Sequence, residues 1–324
     1  MYTSARSNRS DSAAGPRVAV LLMAHGTPES LDDMTEYLTR VRAGRPPSDP
    51  LIAEMRHNYE AIGGRSPLTA ISRQQAEALQ ARLGPSIPVW LGMRTWHPFI
   101  ADVLRPLAGS GIERVIGIPL APQFSTLSVQ KYVEAATAAL PPGIHFDCVQ
   151  SFHDHPLLIE AFAERLRAAL PAGGPDADEV LVFTAHSLPE RVVRDGDPYA
   201  REVAETARLV AARAGVSGYQ LAWQSAGRTP EPWVGPDISV VIRERAAHGT
   251  RRVLVAPIGF VCDHTEILFD IDVQAAATAR GCGVALRRTE SLNVLPRFID
   301  ALADLVQRAL AAAPAAGHDG TLTR

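Results

Sequence analysis

The chain has 324 residues and a net charge of −3 with acids and bases nearly balanced, so it is long enough for one large α/β unit or two domains and lacks the basic footprint of a nucleic-acid binder. Lys131 is the sole lysine, which removes a Walker A lysine and leaves only that position for a Schiff base. The three cysteines, Cys148, Cys262 and Cys282, form no CxxC pair and cannot hold a four-cysteine iron–sulfur cluster, a pattern that fits a reducing cytosol.

Residues 1–16 are Ser-rich with scattered Arg and no apolar h-region, and read as a disordered tail, not a secretory signal. No apolar run in the chain approaches the roughly 20 residues of a membrane span. Residues 17–23 (RVAVLLM) read as a buried strand ending at Ala-His-Gly-Thr-Pro-Glu, where Thr27 is expected to cap a helix with Pro28 in its first turn. Helical patterns follow over 30–42, 51–62 and 67–83, separated by the Arg45-Pro46-Pro47 and Gly63-Gly64 turns. Strands are then predicted over 89–93, 113–119 and 144–149, alternating with helices over 98–108, 128–140 and 156–170. A Pro/Gly/Asp break over 171–178 is the best boundary between halves. The pattern restarts with a strand over 180–184 ending at Ala-His-Ser-Leu-Pro-Glu, where Ser187 and Glu190 form a capping-box pattern. Helices over 198–214, 237–248, 263–279 and 296–312 and strands over 219–224, 252–257 and 283–287 complete the fold, and 313–324 reads as a flexible tail.

The restart is an internal repeat. LLMAHGTPE (21–29) matches LVFTAHSLPE (181–190), and GIERVIGIPLAP (111–122) matches GTRRVLVAPIGF (249–260). The expected fold is therefore α/β: two similar Rossmann-like halves, 17–172 and 173–312, each a parallel sheet flanked by helices, with an active-site cleft between them. Ligands of such sheets sit outside the C-terminal strand ends. His25, His186, the turn at 123–125 and the acidic stretch after residue 257 all fall there.

Asp263, Glu266 and Asp270 are spaced three and four apart, which puts three like charges on one helix face. A helix cap accounts for Asp263 and Glu266; a bound cation accounts for the whole face. His186, held between a buried strand and a helix start, supplies the other donor type. A neutral imidazole facing a carboxylate takes up protons or holds a divalent cation, and the mixed set suits Fe²⁺ or Zn²⁺ better than Mg²⁺ or Ca²⁺. His264, two residues before Glu266, is expected off that helix face. No GxGxxG or GxSxG motif is present, so the ligand is expected not to be a nucleotide. Tyr59, Trp90, Met93, Trp96, Phe124, Tyr132, Trp223, Trp233 and Phe260 near strand ends suggest a large, flat, partly apolar ligand, and Arg40, Arg42 and Arg45 can clamp carboxylates at a mouth. The alternative is that these aromatics are core and the arginines solvated.

MAHGTPES, NYEAIGGRSPLTAISRQQA, LAPQFSTLSVQKY, FTAHSLPERV, GDPY, WQSAGRTPEPWVGPD and PIGFVCDHTEILFDID occur in order along the chain. Together they resemble the ferrochelatase family over about residues 17–312. The resemblance implies insertion of Fe²⁺ into a porphyrin, with no cofactor beyond the substrate metal and no iron–sulfur cluster. It implies His186 and Glu266 as the central catalytic and metal-site residues and Asp270 as the next rung of an acidic ladder, which ends here at Gln274. Ser66 and Tyr132 match porphyrin-lining positions, Arg42 a basic residue at the mouth. Phe124 and His25 complete the expected porphyrin contacts. His25 stands where relatives often carry Tyr or Met, either as an axial iron ligand or as a hydrogen-bonding group. Cys262, beside the metal site, is expected to be oxidation-sensitive. A soluble, cytoplasmic form acting on coproporphyrin III, with protoporphyrin IX next, is the reading the resemblance favours, with transient protein partners in haem supply. A cobalt or nickel tetrapyrrole chelatase and a non-catalytic haem-binding or delivery protein stay open as alternatives.

Overall fold

The computed structural model describes residues 17–171, 178–227 and 229–312; both expected tails and residues 172–177 of the expected break lie outside them. The first half runs β1 (Val18–Ala24), α1 (Met34–Val41), α2 (Asp49–Ala61), α3 (Leu68–Leu83), β2 (Val89–Met93), α4 (Ile100–Leu104), β3 (Arg114–Pro119), α5 (Val129–Ala139), β4 (His145–Cys148) and α6 (Pro156–Ala169). The second runs β5 (Glu179–His186), α7 (Glu190–Arg194), α8 (Tyr199–Ala214), β6 (Gln220–Gln224), α9 (Ile238–Ala247), β7 (Arg252–Pro257), α10 (Thr265–Leu268), α11 (Ala276–Gly281), β8 (Ala285–Arg288) and α12 (Pro296–Ala311).

Each half builds a four-stranded sheet, β2-β1-β3-β4 and β6-β5-β7-β8, and every pairing is parallel. The orders are the same once the repeat is superimposed: β1 corresponds to β5 and β3 to β7, the strands that carry the repeated sequences. In such a sheet the chain reverses direction across the first and third strands, and a crevice opens beyond their C-terminal ends. His25 and His186 emerge from the two equivalent first strands.

β1 is buried along its whole length, because helices cover both faces of a parallel sheet and leave no polar side to alternate with. One core cluster joins the halves, including Leu22, Ile118 and Leu158 of the first and Phe183, Leu254, Phe298 and Leu302 of the second. α12 buries Phe298, Ile299, Leu302, Leu305, Val306 and Ala309, a helical stripe. It lays that stripe on α3, α6 and β3 of the first half. Each such aliphatic side chain removed from water stabilises the fold by about 1.5–3 kcal/mol.

Three expected helix starts differ from the structure. Thr27 caps nothing; the chain first makes a single 3₁₀ turn, Leu31–Asp33, with the Asp32 amide donating to Ser30 Oγ. Ser187 donates its hydroxyl to the Val234 carbonyl and does not cap α7, which Pro189 precedes. Asp263 is not an N-cap either. Its carboxylate accepts from Ser291 Oγ at 2.7 Å and Asn293 Nδ2 at 2.8 Å and pairs with Arg288 at 3.0 Å. Long-range partners supply what a local cap supplies in an isolated helix, so the capping pattern is overridden.

Candidate active site

A cavity of about 860 Å³ opens between the C-terminal ends of the two sheets, within the size range of small-ligand sites. His25, Tyr37, Arg42, Tyr59, Arg94 and Tyr132 line it from the first half, and His186, Ser225, Trp233, Phe260, His264, Glu266, Asp270 and Gln274 from the second. A smaller recess of about 270 Å³ between α3, α6 and α12 lies away from these residues and is lined by Arg82, Asp300 and Asp304.

Backbone geometry fixes the walls. Gly26 has φ +90, and a Cβ there would sit 2.7 Å from the Trp96 amide nitrogen, so only glycine lets the turn after β1 pass so close to β2. The Thr95 amide and hydroxyl both donate to the His25 carbonyl, at 2.8 and 2.7 Å. In the second half, a Cβ on Gly259 would lie 2.6 Å from Ala185 Cβ; the turn after β7 is thereby pressed against β5, which carries His186.

His186 Nε2 stands 3.8 Å from Glu266 Oε2, and His264 Nε2 stands 3.7 Å from the same oxygen. His186 Nδ1 is 2.5 Å from the Ser187 carbonyl oxygen. A carbonyl only accepts, so Nδ1 carries the proton and Nε2 presents its lone pair to the cavity. Two ligands of a first-row divalent cation, each about 2.1 Å from it at a tetrahedral angle, lie about 3.4 Å apart, so His186 and Glu266 need only a small approach to share one. Among the described residues no group of three or more His, Cys, Asp or Glu is preassembled as a metal cage.

The acidic segment is not a plain α-helix. α10 is one turn, and Asp270–Ala275 forms a π-helical stretch before α11, with the Gln274 amide donating to the Phe269 carbonyl. In an α-helix each four-residue step overshoots a full turn by about 40°. The wider i→i+5 turn takes that drift back. Glu266, Asp270 and Gln274 consequently all reach the cavity.

Electrostatics separate the carboxylates. Burial works against a charged Glu266, but His186, His264 and His25 outweigh it and hold the carboxyl at about 2. Its side chain is 40% exposed, toward the cavity. Burial, with the Glu266 charge, raises Asp270 to about 6, against the pull of a hydrogen bond from Ser225 Oγ. Burial would lower His264, but its contact with Glu266 outweighs that and raises it. Burial and the Arg94 charge lower His25 to about 4. The two neighbouring carboxyls are thus driven apart, Glu266 downward and Asp270 upward.

Of the expected site residues, His25, Arg42, Tyr132, His186, Glu266 and Asp270 meet at this cavity, with Gln274 beyond them. Ser66 and Phe124 are not on its wall. Ser66 is buried and its Oγ accepts from the Leu68 amide; at Phe124 the backbone amide donates to the Glu202 carboxylate, 2.7 Å away. Of the expected aromatics, Tyr59, Tyr132, Trp233 and Phe260 line the cavity, whereas Trp96 and Trp223, like Met93, are core. Arg40 pairs with Glu36 and stacks on Phe99, and Arg45 Nε donates to the Arg42 carbonyl. Arg42 alone of the three faces the cavity, with its Nε unpartnered among the described residues. Cys262 borders the cavity but is largely buried, and that burial pushes its thiol up to about 12. His264 was expected off the helix face. It precedes the helix in extended backbone, φ −163, and so turns toward Glu266. Arg94, Tyr37 and Tyr199 were not anticipated, although Arg94 directly follows β2 at the strand-end position that marked the others.

The ferrochelatase family model matches residues 17–310. The chain belongs to the ferrochelatase family. A ferrochelatase of Deinococcus radiodurans is 44% identical over 301 residues, covering 90% of this chain and 95% of that protein. A coproporphyrin III ferrochelatase of a Geobacillus species is 39% identical over 303 residues, covering 90% and 98%. Among solved structures, SirB from Bacillus subtilis with Fe³⁺ aligns with TM-score 0.56 at 14% identity, covering 91% of this chain and 96% of that one; that likeness shows the shared two-sheet fold of this ferrochelatase-family chain.

Proposed function

We propose that this chain is a lyase that inserts Fe²⁺ into a porphyrin, releasing two protons, with coproporphyrin III preferred over protoporphyrin IX. The observation that carries it is the His186–Glu266 pair, 3.8 Å apart, in an aromatic-lined cavity between the two sheets. Family membership supports the reaction. The Geobacillus relative supports the porphyrin, as does Arg42, whose unpartnered Nε suits a propionate.

A flat porphyrin hides its nitrogen lone pairs; a cavity that holds it ruffled exposes them, a form of ground-state strain. His186, with its Nε2 lone pair free, takes a proton from a pyrrole N–H. Glu266 stays ionised and draws in the cation. Asp270, near 6, receives protons and passes them toward Gln274 and the mouth. No cofactor beyond the substrate metal and no iron–sulfur cluster enters this scheme. No helix among the described residues is long and apolar enough to cross a membrane. A cytoplasmic setting and transient partners in haem supply are part of the proposal.

The test is anaerobic incubation with Fe²⁺ and each porphyrin, following the Soret and Q bands. Insertion is expected with both, faster with coproporphyrin III. Haem binding without insertion overturns the enzyme and favours the delivery protein. Insertion of Co²⁺ or Ni²⁺ into a reduced tetrapyrrole, with none of Fe²⁺ into porphyrin, favours the other chelatase. Equal rates, or faster turnover of protoporphyrin IX, overturn the preference.

A further inference from the structure

The repeat gives each half a histidine at the same point, the turn after its first strand: His25 and His186. Both line the cavity. Their hydrogen bonds are opposite. His186 Nδ1 faces a carbonyl, which can only accept, and is therefore the protonated nitrogen. His25 Nδ1 faces Arg94 Nη2 at 3.3 Å. A guanidinium only donates, so His25 Nδ1 is the unprotonated nitrogen and the proton sits on Nε2. The same residue in the same turn thus offers a lone pair from one half and an N–H from the other.

His25 has little freedom to change this. Two hydrogen bonds from Thr95 hold its carbonyl, and its ring meets the edge of Tyr37, which in turn meets Trp96. The contact to His25 is the one hydrogen bond of the Arg94 side chain among the described residues, and the guanidinium lies over the Tyr132 ring.

We propose that Arg94 is a positioning residue that fixes His25 as an Nε2–H donor to the porphyrin, so that His25 does not ligate iron and metal acceptance is left to His186 and Glu266. The proposal rests on the porphyrin reading above. An imidazole N–H repels an incoming cation and gives product iron no strong ligand on that histidine, so haem is not trapped by it. The N–H can instead donate to an imine nitrogen of the metal-free ring.

The tautomer is tested in the full-length protein without ligand, by long-range proton–nitrogen correlation spectra of ¹⁵N-histidine-labelled protein, with His25 assigned from His25→Asn. Nε2 is expected to carry the proton in the wild type and in Arg94→Lys, which keeps a cationic donor. Arg94→Leu is expected to lose that preference. An Nδ1-protonated His25 in the wild type, or an unchanged tautomer in Arg94→Leu, overturns the proposal. Ferric haem is the second probe. Wild type and His25→Ala are expected to give the same ligand-field spectrum. Arg94→Leu is expected to gain an imidazole-ligated spectrum that is lost in the Arg94→Leu/His25→Ala double variant. Imidazole ligation in the wild type that His25→Ala abolishes overturns the proposal. If no variant binds haem or porphyrin, the porphyrin reading fails, and the tautomer is still decided by the ligand-free spectra. If Arg94→Leu does not fold, the wild-type and Arg94→Lys spectra decide.

Discussion

In the proposed reaction His186 and Glu266 divide one task. The neutral histidine keeps a free Nε2 because Ser187 holds its other nitrogen, and the glutamate carboxyl is held low, against its burial, by the charges that the surrounding imidazoles take up on protonation and by its contact with His264. His186→Ala is expected to lower kcat by about 10²–10⁴-fold, the usual worth of a positioned proton-transfer group, and Glu266→Gln, which removes the charge that draws in the cation, is expected to lose most of the turnover, each with unchanged circular dichroism. Turnover within a few-fold of wild type in both would remove the pair from the chemistry. His186 was legible because it ends a buried strand, where side-chain placement is set by the backbone, and Glu266 because its spacing with Asp263 and Asp270 stacks like charges and because the family resemblance singles it out. His264 was not, since helical spacing was extended past the true helix start. Arg94 was passed over because a charged residue after a strand signals nothing until its partner is known, and that partner lies in another turn.

At the scale of elements, the acidic segment departs most from its expected form. Four residues of α-helix give way to a π-helical stretch, and this widening aligns Glu266, Asp270 and Gln274. A single sequence carries no periodicity that separates an i→i+5 turn from an ordinary helix, so the ladder was legible and its geometry was not. The arrangement costs stability. Asp270 titrates at about 6 in the fold against 3.8 ordinarily, so as pH rises the unfolded chain releases this proton first. The penalty therefore grows between about pH 4 and 6 and is constant above. Asp270→Asn, which keeps an acceptor for Ser225, is expected to stabilise the ligand-free protein by on the order of 1 kcal/mol at pH 7.5, the gain vanishing at pH 4. Urea midpoints at the two pH values measure it, and equal midpoints at pH 7.5 contradict it. The turn that delivers this segment is as constrained. In Gly259→Ala the new Cβ meets Ala185 at 2.6 Å, and pushing the turn away parts Glu266 from His186. A loss of about 1–3 kcal/mol is expected, together with a fall in kcat larger than in KM. Wild-type kcat would show that the turn does not position the glutamate.

On the scale of the molecule, two buried carboxylates of the second half hold the cavity wall of the first. Asp197 accepts from Ser125 Oγ and from the Thr126 amide and hydroxyl, at 3.0, 2.7 and 2.7 Å. Glu202 accepts from the Phe124 amide and Ser151 Oγ at 2.7 and 2.8 Å. The Phe124 backbone, which is not on the cavity wall, is thus a clamp point between halves. Asp197→Asn is expected to cost about 1–3 kcal/mol by leaving a donor unmatched and to raise KM more than it lowers kcat, measured by chemical denaturation and steady-state rates. The repeat made the two similar parallel sheets legible, because repetition reports that the halves share a fold; their strand order came only with the structure. The clamps join residues more than fifty positions apart and leave no such trace.

The last helix has a consequence for how the chain comes to be folded. α12 covers α3 and α6 with Phe298, Leu302 and Val306, and its Ala309 carbonyl accepts from the buried Arg114 at 2.7 Å. During synthesis the first sheet emerges long before the helix that closes it, so its apolar flank is exposed to water and to chaperones until residue 311 leaves the ribosome. A fragment ending at residue 171 is expected to aggregate or bind a hydrophobic dye, and a separately supplied 290–312 peptide to relieve it. A fragment that stays monomeric and dye-free would mean that the first half closes without its final helix.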